Sequence, residues 1–213
     1  MKIYCDLFVQ IISLENLFVA WQSFKAGKQN KFDVLAFERD LEKNLFQLHD
    51  DLRHRVYRHG TYSGFYIQDP KQRHIHKALV RDRILHHAIF SVINPVFEPT
   101  FIATSFSCRV GYGTHRGVAA LHAMARKVSK NGTHPCFILK CDVKKFFDSV
   151  DHKILLSILQ RRIKDNDAMW LLEEIVESYS VTRERERERR TRAAHGDTHR
   201  ESHFPAFCEY LYE

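Results

Sequence analysis

Phe137-Ile-Leu-Lys-Cys-Asp142-Val-Lys-Lys-Phe-Phe147-Asp-Ser-Val-Asp151-His152 is the stretch on which the reading of this chain turns. The apolar run predicts a strand of mostly buried type over Cys136–Val143, with the Asp142 carboxylate delivered at its end. Two lysines and two aromatics follow. Asp151 is placed as the N-cap of a helix that turns Ile154, Leu155, Ile158 and Leu159 inward. From the residues alone two readings stand side by side. One is a strand closed by a helix-capping Asp and two core phenylalanines. The other is a carboxylate set beside a backbone carbonyl at a strand end, part of an oxygen cage for a hard cation.

Upstream lie two more patterned segments. Tyr62–Gln68 and Arg73–Val80 read as strands joined by the turn Asp69-Pro-Lys71-Gln72, a hairpin with basic residues at its tip. Arg81-Asp82-Arg83 then opens a helix over Asp82–Asn94. Ile84, Leu85, Ala88, Ile89, Val92 and Ile93 face inward, and Pro95 and Pro99 close it. Ser105-Phe-Ser-Cys-Arg109-Val-Gly111-Tyr-Gly113-Thr114-His115 is a loop ending in Gly-x-Gly, with Thr114 as cap of a helix that runs to Asn131-Gly132. Nearer the start, residues 6–24 predict a helix ending near Gly27. A second is expected from an Asp33 N-cap to His59, with Gly60 as C′. Its Phe37, Leu41, Leu45, Leu48, Leu52 and Val56 form one buried stripe. Asp167 is the expected cap of a last helix through Trp170, Leu171, Ile175 and Val176.

Taken in this order, the three segments resemble reverse transcriptases of the branch that includes group II intron, retron and diversity-generating enzymes. The first-quoted stretch matches that family's first catalytic motif. The likeness covers roughly Leu14 to Ser180 and implies an α+β, helix-rich fold: reverse-transcriptase fingers plus an incomplete ferredoxin-like palm. It divides the chain into an N-terminal helical extension (1–30), fingers (31–135), a partial palm (136–182) and an aberrant tail (183–213). By resemblance, Asp142 is a ligand of catalytic Mg2+, one of two ions in the complete enzyme, and the Val143 carbonyl touches the nucleotide-bound ion. Phe147 matches the aromatic gate against a ribose 2′-OH. Lys71 and Arg73 match the cations that close on the incoming triphosphate. Arg83, Arg109, Gly111, Tyr112 and Gly113 match the template path, where Arg pairs with phosphate and a ring stacks on a base. Asp82-Arg83 has a second possible role, as an internal ion pair that orders the fingers. The implied partners are an RNA template, a DNA primer and dNTPs.

The pattern then breaks. The family's Gly-apolar-Pro-x-Gly-Asn segment and its Tyr-x-Asp-Asp pair do not follow in the written frame. Yet Gly196–Glu213, back-translated with allowed codons and read one base later, gives Gly-Ile-Pro-Ile-Gly-Asn-Leu-Thr-Ser-Gln. The expectation is a frameshift between about Val181 and Ala194, within the Arg-Glu repeat, and disorder beyond it. A chain with one catalytic Asp polymerises poorly or not at all by itself. The rival expectation is a catalytically dead RNA-binding module that keeps the basic fingers.

Composition sets the outer limits. The 213 residues allow one domain or slightly more, and 44% hydrophobic residues suffice for a core. The net charge is +7, all of it in residues 1–182, where 26 Lys+Arg face 19 Asp+Glu. A basic body suits a polyanion. Cys5, Cys108, Cys136, Cys141 and Cys208 form no C-x-x-C pair and are expected to be reduced. His74 and His76 share a strand face without a third ligand at zinc-site spacing. No apolar run approaches a membrane span and the start is a poor signal peptide, so the expected compartment is the cytoplasm.

Overall fold

The structure, a computed structural model, describes residues 2–69, 72–143 and 146–179, and of Phe147 and Asp148 the backbone alone. It is helix-rich with one two-stranded sheet, an α+β chain. The chain divides into two compact units, residues 1–93 with 145–213, and residues 94–144.

In the first unit, α1 (Leu7–Ile12) and α2 (Leu14–Lys25) replace the single helix expected over 6–24. The break is Ser13. Its backbone is extended and its hydroxyl oxygen accepts from the Asn16 N–H at 3.2 Å, so a hydroxyl that competes with the helical ladder restarts it. Asn16 in turn donates to the Ala88 carbonyl at 3.0 Å, tying α2 to α5 (Val80–Phe97).

The second expected helix is also two, α3 (Phe32–Arg39) and α4 (Leu41–Arg53). Leu45, Leu48 and Leu52 are fully buried as the stripe requires, but Val56 is exposed and Tyr57 is buried in its place. The helix stops at Arg53 because Arg55 turns left-handed (φ 56°) and the Val56 and Tyr57 N–H groups both fold back on the Asp51 carbonyl. That turn drives the Tyr57 side chain inward. Asp33 is no N-cap; Lys31 holds that position, and Asp33 pairs with Lys77 at 2.6 Å. The core is built by Ile11, Leu17, Trp21, Phe24, the α4 leucines, and Ile84, Leu85 and Ala88 of α5. Each large side chain among them contributes roughly 1.5–3 kcal/mol by leaving water.

The hairpin forms as expected. β1 (Ser63–Gln68) pairs antiparallel with β2 (Gln72–Lys77), from Ser63 opposite Lys77 to Gln68 opposite Gln72. β1 is exposed along its whole length, whereas Ile75 and His76 of β2 are buried.

The chain returns through α7 (Phe146–Ser149), α8 (His152–Gln160) and α9 (residues 166–179). Asp151 caps α8 as expected, accepting from the Lys153 and Ile154 N–H groups at 2.8 and 3.1 Å. The inward face expected of α8 is different: Ile154 and Ile158 are exposed. α9 is capped by Asp165 rather than Asp167. One Asp165 oxygen accepts from Asp167 and Ala168, both at 3.0 Å, and the other accepts from the Phe8 N–H at 2.8 Å. Beside this lock Tyr4 bridges Ile163 in parallel.

In the second unit, Pro95 lies inside the last turns of α5 instead of ending it, and a 3-10 turn, Glu98–Thr100, follows with Pro99 in its first turn. α6 (Thr114–Val128) starts one residue earlier than a Thr114 cap would give, because Gly113 takes the cap position at φ 104°. Cys136–Val143 is not a strand. Phe137 is 95% and Leu139 87% exposed, and no strand lies beside them among the described residues. An apolar run can join a ladder only where a neighbour accepts its backbone hydrogen bonds.

Candidate nucleic-acid interface

The residues singled out in the sequence fall in three places. At the hairpin, Arg73 is half-buried opposite Ile67, while Lys71 lies outside the described residues. His74 lies against the Tyr66 ring at 4.6 Å.

Behind the hairpin sits a buried polar knot, anchored by Asp82, which is 1% exposed. The Tyr57 hydroxyl donates to Asp82 Oδ1 at 2.8 Å and the Gly60 N–H to Oδ2 at 3.1 Å. Gly60 is therefore a close-approach residue rather than a helix terminator. A Cβ there would stand 2.5 Å from Leu79 Cδ1 and 2.8 Å from Asp82 Oδ2. His59 Nδ1 donates to the Gly60 carbonyl at 2.7 Å, and its Nε2 lies 3.2 Å from His86 Nε2 and 3.3 Å from the Tyr62 hydroxyl. Tyr62 also meets Ser178, and Glu174 accepts from Arg58 and the His59 N–H, so α9 closes over the knot. Burial, with the Asp82 carboxylate next, pushes the Tyr57 hydroxyl up; burial takes Tyr62 to about 12. Burial, with neighbouring His59, pushes His86 down to about 3.

Arg83 points elsewhere, with its guanidinium 4.7 Å from the centre of the Phe24 ring and 3.8 Å from Asp33. Burial pushes the Asp33 carboxyl up, but Lys77 and Arg83 outweigh it and hold it below the usual carboxylate range.

The second place, in the other unit, is the loop from Glu98 to Gly113. Here the structure brings Arg109, Gly111, Tyr112 and Gly113 together. Gly111 (φ 76°) and Gly113 (φ 104°) adopt left-handed backbone that only glycine takes readily. The Arg109 guanidinium lies 3.9 Å from the Tyr112 ring centre and 5.5 Å from that of Phe101. Its Nε and Nη2 both bond Glu98 Oε1 at 2.8 Å, and Nη1 donates to the carbonyls of Ile102 and Ser105 at 3.2 and 2.9 Å. Arg116, in the first turn of α6, covers the Tyr112 ring at 5.0 Å and donates to the Gly111 carbonyl. Glu98 and Arg116 were not singled out in the sequence. A carboxylate eleven residues before an arginine carries no local signal, and Arg116 stands on a helix that reads as ordinary surface.

The third place is Asp142. It and Val143 are exposed, on the unpaired segment before α7. Phe147 contributes its backbone to α7. Among the described residues no three His, Cys, Asp or Glu side chains are grouped to hold a metal ion. A two-ion cage needs several converging oxygens. The described residues do not fit one.

No family model matches the sequence. Nuclear intron maturase 1 of Arabidopsis thaliana is 26% identical over 95 residues, 45% of this chain and 12% of that protein. Nuclear intron maturase 2 of the same plant is 20% identical over 163 residues, 69% of this chain and 21% of its own length. The chain is similar, weakly and in part, to intron maturases. Protein YkfC of Escherichia coli K12 is 27% identical over 93 residues, 44% of this chain and 24% of that protein. The chain spans about a quarter or less of the length of these relatives. Among its described residues no helix is long and apolar enough to cross a membrane.

Proposed function

We propose that this chain carries the RNA-engaging fingers and the first palm motif of a reverse transcriptase of the intron-maturase kind, and that by itself it binds RNA without polymerising. The observation that carries the reading is the loop in which Arg109, Tyr112 and Arg116 stack beside two left-handed glycines. A ring stacked against guanidinium groups on a glycine-rich turn suits RNA, whose bases stack on aromatic faces and whose phosphates pair with Arg. The basic body and the similarity to intron maturases support the same partner.

In the complete protein Asp142 would supply one oxygen ligand to Mg2+ through its carboxylate, Val143 a carbonyl, and Lys71 and Arg73 the charge opposite a dNTP triphosphate. An RNA template and a DNA primer would be the remaining partners.

The test pairs two assays on the purified full chain. Fluorescence anisotropy with a labelled structured RNA is expected to show salt-dependent binding that Asp142→Ala leaves intact. Primer extension with Mg2+ and dNTPs is expected to show no product. Extension abolished by Asp142→Ala would overturn the second half of the reading, and absence of RNA binding the first.

A further inference from the structure

The loop of the second unit was expected to meet the template through Arg109, yet the Arg109 side chain is only 7% exposed. Four of its five N–H groups are spent on Glu98 and on the carbonyls of Ile102 and Ser105. Its guanidinium also lies near two rings, 3.9 Å from the centre of Tyr112 and 5.5 Å from that of Phe101. The other Glu98 oxygen, Oε2, is buried without a hydrogen bond among the described residues, so this pair is no loose surface bridge. The loop it spans has work for a brace. Cys108 is held at φ 56°, an unfavourable conformation for a side chain with a Cβ, between the 3-10 turn and Gly111. Arg116 contrasts with Arg109. It is exposed, and it donates to the Gly111 carbonyl.

We propose that Glu98 and Arg109 form a positioning pair that braces the 98–113 loop and holds the Tyr112 ring for stacking on RNA, and that Arg116 makes the phosphate contact. The proposal rests on the RNA-binding reading for its ligand; the brace itself does not. Arg109 acts through Tyr112, and the loop hydrogen bonds Ser105 N–H to Ile102 and Gly113 N–H to Phe106, at 3.0 and 2.9 Å, report whether it is set.

The experiment compares the full chain with Glu98→Gln, Arg109→Gln, their double variant, Tyr112→Leu and Arg116→Gln. Binding of a labelled single-stranded RNA is measured from low to high KCl, and amide hydrogen exchange over residues 98–113 is measured without RNA. Arg116→Gln is expected to lower the slope of log affinity against log salt by about 0.7, the release of one phosphate contact, with exchange unchanged. Tyr112→Leu is expected to weaken binding about tenfold at every salt concentration, the loss of one stacked base. Glu98→Gln and Arg109→Gln are expected to weaken binding by similar factors without changing the slope. Both should speed exchange at Ser105 and Gly113, and the double variant should be no worse than the worse single one. A slope lowered by Arg109→Gln but not by Glu98→Gln would make Arg109 the phosphate contact and overturn the assignment. Unchanged exchange in both variants would overturn the brace. If the wild type binds no RNA while exchange behaves as expected, the brace stands and both the stacking role and the RNA reading fall.

Discussion

At the scale of single residues, Asp82 decides most in the first unit. A carboxylate that is 1% exposed is tolerable only because the Tyr57 hydroxyl and the Gly60 N–H satisfy it. Tyr57→Phe is expected to cost about 1.5–3 kcal/mol, the range for a hydrogen bond to a charged group. Urea unfolding followed by the fluorescence of buried Trp21 measures it. A loss below a few tenths of a kcal/mol would mean that Asp82 finds another donor. The same knot makes stability depend on pH. Burial takes His86 to about 3 and His87 to about 4, so both are neutral when folded. Unfolded histidines titrate near 6.5, so as pH falls through that value the unfolded state gains protons first. Stability is therefore full above about pH 6.5 and declines toward pH 4. His86 alone accounts for roughly 2 kcal/mol between pH 7.5 and pH 5. Urea midpoints at those two pH values test this, and equal midpoints would show that His86 accepts a proton while folded.

At the scale of elements, Asp165 performs two tasks with two oxygens, capping α9 and holding the Phe8 N–H of α1. Asp165→Ala is expected to cost more than an ordinary cap, about 2 kcal/mol or more, with faster exchange at Phe8. Asp167→Ala, which breaks a pair with the exposed Arg55, should cost less than 1 kcal/mol. Comparable losses in the two variants would return the cap to Asp167. The sequence reading named Asp167 alone, and Asp165 caps instead because its second oxygen also meets the Phe8 N–H, which arrives from the other end of the unit. The hairpin was legible, since its turn chemistry and strand composition are local. The α4 stripe was legible up to Leu52 and failed at Val56, where Tyr57 turns inward toward Asp82 on a different helix. Gly60 was misread for the same reason. Its need is for space against Leu79 and Asp82, which no local pattern announces. The Cys136–Val143 run shows the converse: the residues have strand chemistry, and the ladder partner is not among the described ones.

At the scale of the whole molecule, the site reading separates into parts by how local their causes are. The loop and its Gly-x-Gly end were expected, whereas the pairing that occupies Arg109 comes from Glu98 across the loop. Asp142 is legible as a motif residue, yet the metal cage that the resemblance implies requires carboxylates from other strands. The tail beyond Tyr179, with the proposed change of frame, lies outside the described residues, and nucleotide sequence decides it. Sequencing the DNA that encodes Ser178–Glu213 and the region downstream is expected to show Gly-Ile-Pro-Ile-Gly-Asn in the next frame, running on to a Tyr-x-Asp-Asp pair. A product with the frame restored would then bring further carboxylates to Asp142. It is expected to extend a primer on RNA with Mg2+ and to lose that activity on Asp142→Ala, whereas the present chain is expected to bind RNA without extension. If the other frame closes within a few codons, the written tail is the natural one. RNA binding, with the loop of Tyr112 and Arg116 as its centre, then becomes the whole of the function to be measured.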